Sequence, residues 1–289
     1  MMYNQLIIAI ELVLGGILLG GIYSLAALGF SINYSVAKIM NLSHGEFLIL
    51  GGLFTYILVR IFNLNLLISI IMVSFASFIF GYLFYIFLIN PIQKNIFSEN
   101  RIILVTLGSA LLLSGIASTI LSRNFGLPFY LTPLQIGSIT LSSTRLLLFL
   151  IVIILISLLE IFLSRSNFGI IIRAVAIDKT SSQLSGINIK YVSAITFGIG
   201  SAFAALGGSL LLLVTNMSSA EGLHLTVLVI LLVVLGGLGK ISKILVSAIT
   251  IGLIQTISGY ILSPSWSFTV SLAILIFLLT FRSKGIIQT

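Results

Sequence analysis

The chain has 289 residues, of which 59% are hydrophobic and only 7% charged, and its mean hydropathy is +1.28. An ordinary soluble domain carries about 25% charged residues, so a soluble globule is excluded, and uncharged runs of about twenty residues or more exclude a barrel of short alternating strands in favour of a polytopic helical membrane protein. The net charge of +8 must first be placed relative to the membrane before it suggests any partner, and the lack of cysteine excludes disulfides, thiolate chemistry and Cys-ligated metals.

The N-terminal segment has no basic stretch, carries Glu11 and continues into a long apolar run, so it predicts a first span at 6–34 and no cleaved signal. Gly16, Gly20 and Ser24 recur every four residues along it, a row of small residues that lets helix backbones approach closely in lipid. The polar cluster MNLSHGEF at 40–47 interrupts this apolar chain, and a span at 46–60 follows that is short for a crossing of roughly 20 residues, so a tilted, broken or partly re-entrant helix is expected. Two readings of the cluster stand side by side. In one it is a turn and helix cap, with Asn41 or Ser43 as cap, Glu46 as a favourable first-turn acid and His44 bonded to a carbonyl. In the other the helix breaks inside the membrane, and Asn41, His44, Gly45 and Glu46 fix the break or line a translocation path.

Further spans are expected at 66–90, 102–122, 146–163, 191–214, 223–239, 244–262 and 266–281, with Pro264 dividing the last two and Trp266 suited to an interface. The fold class is therefore an all-α integral membrane bundle of about eight or nine spans, forming one integral domain over 1–289. Gly200, Ala204 and Gly208 repeat the small-residue row in the span at 191–214. The connection 164–190 is too long for a simple turn: Ser166 or Asn167 can cap a helix, Gly186 can end one, and Phe168, Ile171, Ile172 and Val175 fall at helical spacing. It predicts a short amphipathic helix that presents Arg173, Asp178 and Lys179 to water or to a partner; a solvated basic loop is the alternative, and the length and apolar stripe favour a docking element.

Alternating the loops across the membrane places eleven of the fourteen basic residues on one side, including Lys38, Lys94, Arg101, Arg173, Lys179, Lys190 and Lys240, and only Arg60, Arg123 and Arg145 on the other. By the positive-inside rule the first side is cytoplasmic, which predicts an external N-terminus, a cytoplasmic C-terminus and a cell-membrane location, and turns the +8 into a topology signal with no nucleic-acid partner implied. Catalytic groups are scarce, with six acids and two histidines in the chain, and no HExxH or GxSxG pattern pairs them. The stretch LGGLGKIS at 235–242 is not a phosphate loop, because Val234 and Ile241 stand where glycine and Ser or Thr are needed. Glu11 and Glu160 fall near span ends, where a charge avoids the roughly 2.5–3.5 kcal/mol cost of the bilayer centre, and deep coupling carboxylates are few.

Three segments, 20–52, 171–208 and 235–242, together resemble the branched-chain amino-acid ABC transporter permease family, in its H-type subunit. The first matches an Asn-x-Ala-His-Gly-x-Phe pattern through Asn41, His44, Gly45 and Phe47, with Ser43 in place of alanine. The second matches Arg-Ala, an acid and Gly-Ile-Asn through Arg173, Ala174, Asp178, Gly186, Ile187 and Asn188. The resemblance implies a membrane subunit of an importer whose 164–190 loop docks in a separate ATPase through Arg173, Ala174, Asp178 and Gly186. It also implies a second permease chain and an extracytoplasmic binding protein, with ATP and Mg used by the ATPase and no cofactor held by this chain. Lys240, Lys243 and Ile244 depart from the small residues the family places after its GGLG, which predicts looser packing at that turn. Branched-chain or other small amino acids are the expected cargo; urea or amide and sugar permeases share the plan, and a stand-alone carrier or channel is the alternative class.

Overall fold

The structure is a computed structural model that describes residues 2–93, 98–127, 129, 132–136 and 139–280. Lys94, Arg282 and Lys284 of the predicted cytoplasmic set lie outside the described residues. Each predicted span forms a helix: α1 Met2–Ala37, α2 His44–Arg60, α3 Leu66–Phe84, α4 Ser98–Ile120, α5 Ser143–Arg165, α8 Ile189–Leu211, α9 Gly222–Gly236, α10 Ile241–Ile261 and α11 Pro264–Thr280. Helices α6 Asn167–Ile177 and α7 Lys179–Leu184 occupy the long connection. α3 continues into a π-helical turn, Tyr85–Ile89. The chain is a multi-pass helical membrane bundle: among the described residues six helices are long and apolar enough to cross a bilayer, those of α1, α3, α4, α5, α8 and α10. Among the described residues the β structure is an antiparallel ribbon of β1 Leu134–Ile136 and β2 Ile139–Leu141, with Gln135 opposite Thr140, and a single bridge between Phe125 and Met217.

α8 is the central helix, with 72% of its apolar window buried, and α1, α2 and α3 pack against it. Small residues make this possible. A Cβ on Gly208 would fall on the Leu48 carbonyl oxygen of α2, and one on Gly200 would meet the Asn33 side chain of α1. Gly16 and Gly20 face α10 instead, where a Cβ on Gly16 would lie 2.7 Å from the Leu253 Cα. Both glycine rows are therefore used within this chain. Close approach holds at the α9–α10 turn as well, against the looser packing expected there. A Cβ on Gly236 would lie 2.7 Å from the Ile244 Cα and 2.9 Å from the Lys243 carbonyl oxygen, so the contact is with backbone and leaves the lysine side chains out of it, and Gly237 and Gly239, at φ of +88° and +76°, make the turn.

The basic residues gather at one face. Lys179 Nζ donates to the Ala37 carbonyl at 2.8 Å, Gln93 Nε2 donates to the same oxygen at 3.3 Å, and the Gly239 amide donates to Ser31 Oγ at 3.1 Å. These bonds bring the ends of α1, α3 and α9 and the start of α7 together with Lys38. On the opposite face Phe125 and Met217 exchange backbone bonds of 2.9 and 2.8 Å, and Glu11, Thr144, Leu213 and Asn216 line a cavity of about 530 Å³.

A half-helix junction as the candidate functional site

α1 ends at Lys38, whose φ of +59° is a left-handed turn rare for a residue with a side chain, and the next residues run back along the bundle. Their destination is set by His44, whose Nε2 donates to the Ala26 carbonyl at 2.9 Å. Ala26 lies eleven residues before the end of α1, about 16 Å along its axis. α2 therefore starts well inside the bundle and reaches the opposite face in 17 residues, which explains why its sequence looked too short for a full crossing.

A helix that begins inside a membrane exposes amide donors that lipid cannot satisfy. Side chains take them up here. Asn41 Oδ1 accepts from the Ser43 amide at 3.0 Å and from Ser43 Oγ at 2.7 Å, forming the turn that launches α2. Ser43 occupies the cap position yet makes no side-chain cap bond. The Gly45 amide donates to Thr226 Oγ1 of α9 at 2.8 Å, and that hydroxyl lies 3.1 Å from the Leu42 carbonyl and 3.0 Å from the Gly222 carbonyl. Gly45 has no alternative residue at this point, because its Cβ would fall on the Gly222 carbonyl oxygen. The His44 ring is held edge-on by Phe30 and Phe47, with centroids at 5.4 and 6.4 Å.

The junction is double, since α9 also begins here. Glu46, in the first turn of α2, presses its carboxylate on Gly222, the first residue of α9, so that a Cβ there would occupy the carboxylate position. Two helix N-termini thus meet at one acid, an arrangement that favours negative charge. Glu46 is 1% exposed, and neither of its oxygens has a hydrogen-bond partner among the described residues; Asn41 Nδ2 and His44 Nδ1 are likewise unpartnered. Asn41, His44, Gly45 and Glu46 are all buried, so the junction is closed to solvent in this conformation.

The second predicted site forms a separate cluster at the basic face. α6 is capped by Ser166, whose Oγ accepts from the Gly169 amide at 2.9 Å. Arg173 turns back and donates from Nη1 and Nη2 to the Ser164 carbonyl at 3.2 and 3.3 Å, closing the end of α5. Ala174 is half-buried, and its carbonyl accepts the Asp178 amide at 3.0 Å. The expected single amphipathic helix is two helices, because Asp178 is extended at φ −145° and starts α7 afresh. Its carboxylate accepts from the Thr180 and Ser181 amides at 2.8 and 3.2 Å and from the Ser181 hydroxyl, and these bonds hold its pKa below the ordinary carboxylate value. Asp178 is thus a cap first and not a free charge on a helix face. α7 ends before Gly186, at φ +85°.

Residues 12–279 match the family model described as branched-chain amino acid transport system / permease component. The chain is a member of the branched-chain amino-acid permease family. As a transport permease component it is not an enzyme. The permease is similar to the high-affinity branched-chain amino acid transport system permease protein BraD of Pseudomonas aeruginosa, with 25% identity over 96% of this chain and 95% of the relative. It is 25% identical to LivH of Salmonella typhimurium over 99% of this chain and 97% of the relative. A probable branched-chain amino acid transport permease protein LivH of Methanocaldococcus jannaschii is also 25% identical, over 87% of this chain and 82% of its own length.

Sequence reasoning missed half of the junction in this permease. Thr226 and Gly222 sit in GLHLT, which follows Glu221 and carries no pattern that ties it to residues 180 positions earlier. Asn33, buried at 1% with both side-chain polar atoms unpartnered among the described residues, lies near the end of α1 against Gly200. An amide within the apolar stretch of that helix was the available signal for it.

Proposed function

We propose that the chain is the transmembrane permease subunit of an ATP-driven importer for branched-chain or other small amino acids. It works with a separate ABC ATPase that uses ATP and Mg, a second permease chain and an extracytoplasmic binding protein. The near full-length match to branched-chain amino acid permeases supports the cargo class. One observation carries the ATPase contact: Ile177 and Leu184, on α6 and α7 at the basic face, are 87% and 84% exposed. Bulky aliphatic side chains this bare, beyond the membrane spans and flanking the Asp178 cap, suit a groove in a soluble partner. That face is cytoplasmic in this reading, with the N-terminus outside. The half-helix junction acts as the gate, where Asn41 and His44 fix the break and Glu46 and Gly45 set the spacing of the two helix starts.

Affinity purification of the tagged chain from its native membrane in mild detergent, followed by mass spectrometry, tests the assembly. Recovery of an ATPase and a second permease supports the reading, and Ile177→Ser with Leu184→Ser should release the ATPase while the permease stays folded. Uptake competed by leucine, and not by urea or sugars, supports the cargo. A chain that purifies alone and transports without ATP refutes the importer and returns Glu11, His44 and Glu46 to consideration as coupling groups of a carrier.

A further inference from the structure

The basic face holds a cavity of about 540 Å³ between the end of α1, the π-helical turn and the starts of α4, α7 and α8. Lys38, Lys179 and Lys190 all line it, and no carboxylate is among the described residues that do. Three cations from three separate elements converge on one concave space. The positive-inside rule requires lysines on this face but does not require that they share a cavity. The backbone contributes to the convergence, since the left-handed turn at Lys38 directs its side chain here and Lys179 is fixed by its bond to the Ala37 carbonyl. Burial, and after it the neighbouring charge of Lys38, push the pKa of Lys179 down, as expected for one cation held close to another.

Ile39, Ile102 and Ile103, the latter two from α4, add apolar surface to the lining. α4 touches the bundle sparsely, chiefly at α2 and α9. The cavity thus has a basic end and an apolar side along a helix at the membrane edge. A soluble anion would use only the first of these; a phospholipid uses both.

We propose that this cavity binds an anionic phospholipid, its phosphate among Lys38, Lys179 and Lys190 and its acyl chains along Ile102 and Ile103 of α4. The bound headgroup neutralises a cluster that touches the end of α1, α7 and α8 at once, and so fastens α7 to the bundle.

The test uses the full-length purified chain in detergent, with Tm and native mass spectrometry read while phosphatidylglycerol, phosphatidylcholine or inorganic phosphate is added at equal ionic strength. Phosphatidylglycerol should raise Tm and remain bound where phosphatidylcholine does not. Each lysine replaced by Gln should weaken retention about fivefold, as expected for one basic residue at an anionic surface. The combined Lys38→Gln, Lys179→Gln, Lys190→Gln variant should retain no more phosphatidylglycerol than phosphatidylcholine. Equal loss of charge at Arg165, Lys240 and Lys243 should leave retention unchanged. Equal retention of the two lipids by the wild-type chain overturns the proposal whether or not any variant folds. An equal response to inorganic phosphate overturns the lipid as source and assigns the site to a soluble phosphate. Loss of ATPase association in the triple variant without any lipid preference overturns it in favour of an acidic protein partner.

Discussion

Replacing Thr226 by valine removes one hydroxyl from the half-helix junction and changes almost nothing else. The two side chains have nearly the same shape, so no cavity forms. What is lost is the acceptor for the Gly45 amide, 2.8 Å away and buried where neither water nor lipid can replace it. The Gly222 carbonyl keeps its place in the helical ladder of α9, so the orphaned amide dominates the cost. A buried donor left without a partner costs about 1–3 kcal/mol. At about 2–4 °C per kcal/mol, Tm in detergent should fall by about 2–12 °C, and substrate uptake should fall with it. Thr226→Ser is the companion, since it keeps the hydroxyl and discards the methyl, and it should lie nearer the wild type. The assay is thermal unfolding followed by the loss of monodisperse chain, beside uptake in vesicles. Should valine match the wild type while serine destabilises, the methyl and not the hydrogen bond joins α2 to α9, and the account of the junction given above is wrong.

Three further outcomes are expected. Gly208→Ala puts a Cβ on the Leu48 carbonyl oxygen and should lower the yield of folded protein, whereas Gly108→Ala in α4, where a Cβ meets nothing within 4 Å, should be neutral or stabilising by up to about 1 kcal/mol; comparison of folded yield and Tm separates the two. Asp178→Asn keeps a good cap and should preserve both α7 and ATPase recovery, while Asp178→Lys should lose the cap and the partner together; full ATPase recovery with lysine would show that neither the cap nor the charge is needed. The lowered pKa of Asp178 means that its cap is fully present above the ordinary value of about 3.9 and is lost as the pH falls through the lower folded value, so the protection of the Thr180 and Ser181 amides against hydrogen exchange, taken relative to the intrinsic rate at each pH, should fall only in acid and be unchanged between pH 5 and 8.

How much of this was legible in the sequence varied with the range of the interaction. The spans followed from run length, the Ser166 cap and the turn at Gly186 from local chemistry, and the two glycine rows from spacing. The cap formed by Asp178 was not read although its signal was local. An aspartate followed by Lys-Thr-Ser-Ser reads as a helix start, and the preceding apolar stripe drew attention away from it. The depth of the break after α1 could not be read, because it depends on His44 meeting a carbonyl of α1 and on Gly45 meeting Thr226. Backbone partners leave no mark in a sequence, and the pairing of Gly45 with Thr226 spans the greater part of the chain.

α1 has a property that α2 and α9 lack: it runs without interruption for 36 residues, and the part of it from Glu11, at the cavity, to the Ala37 carbonyl held by Lys179 is about 40 Å long. Such a rod works as a lever arm. A tilt of about 5° about its basic end displaces the helix at Glu11 by about 3.5 Å, given the rise per residue of a helix. A small rocking of α7 would thus be felt at the cavity around Glu11 without bending any span, while the two half-helices, anchored on the side of that rod at Ala26, would be carried along at an intermediate stroke.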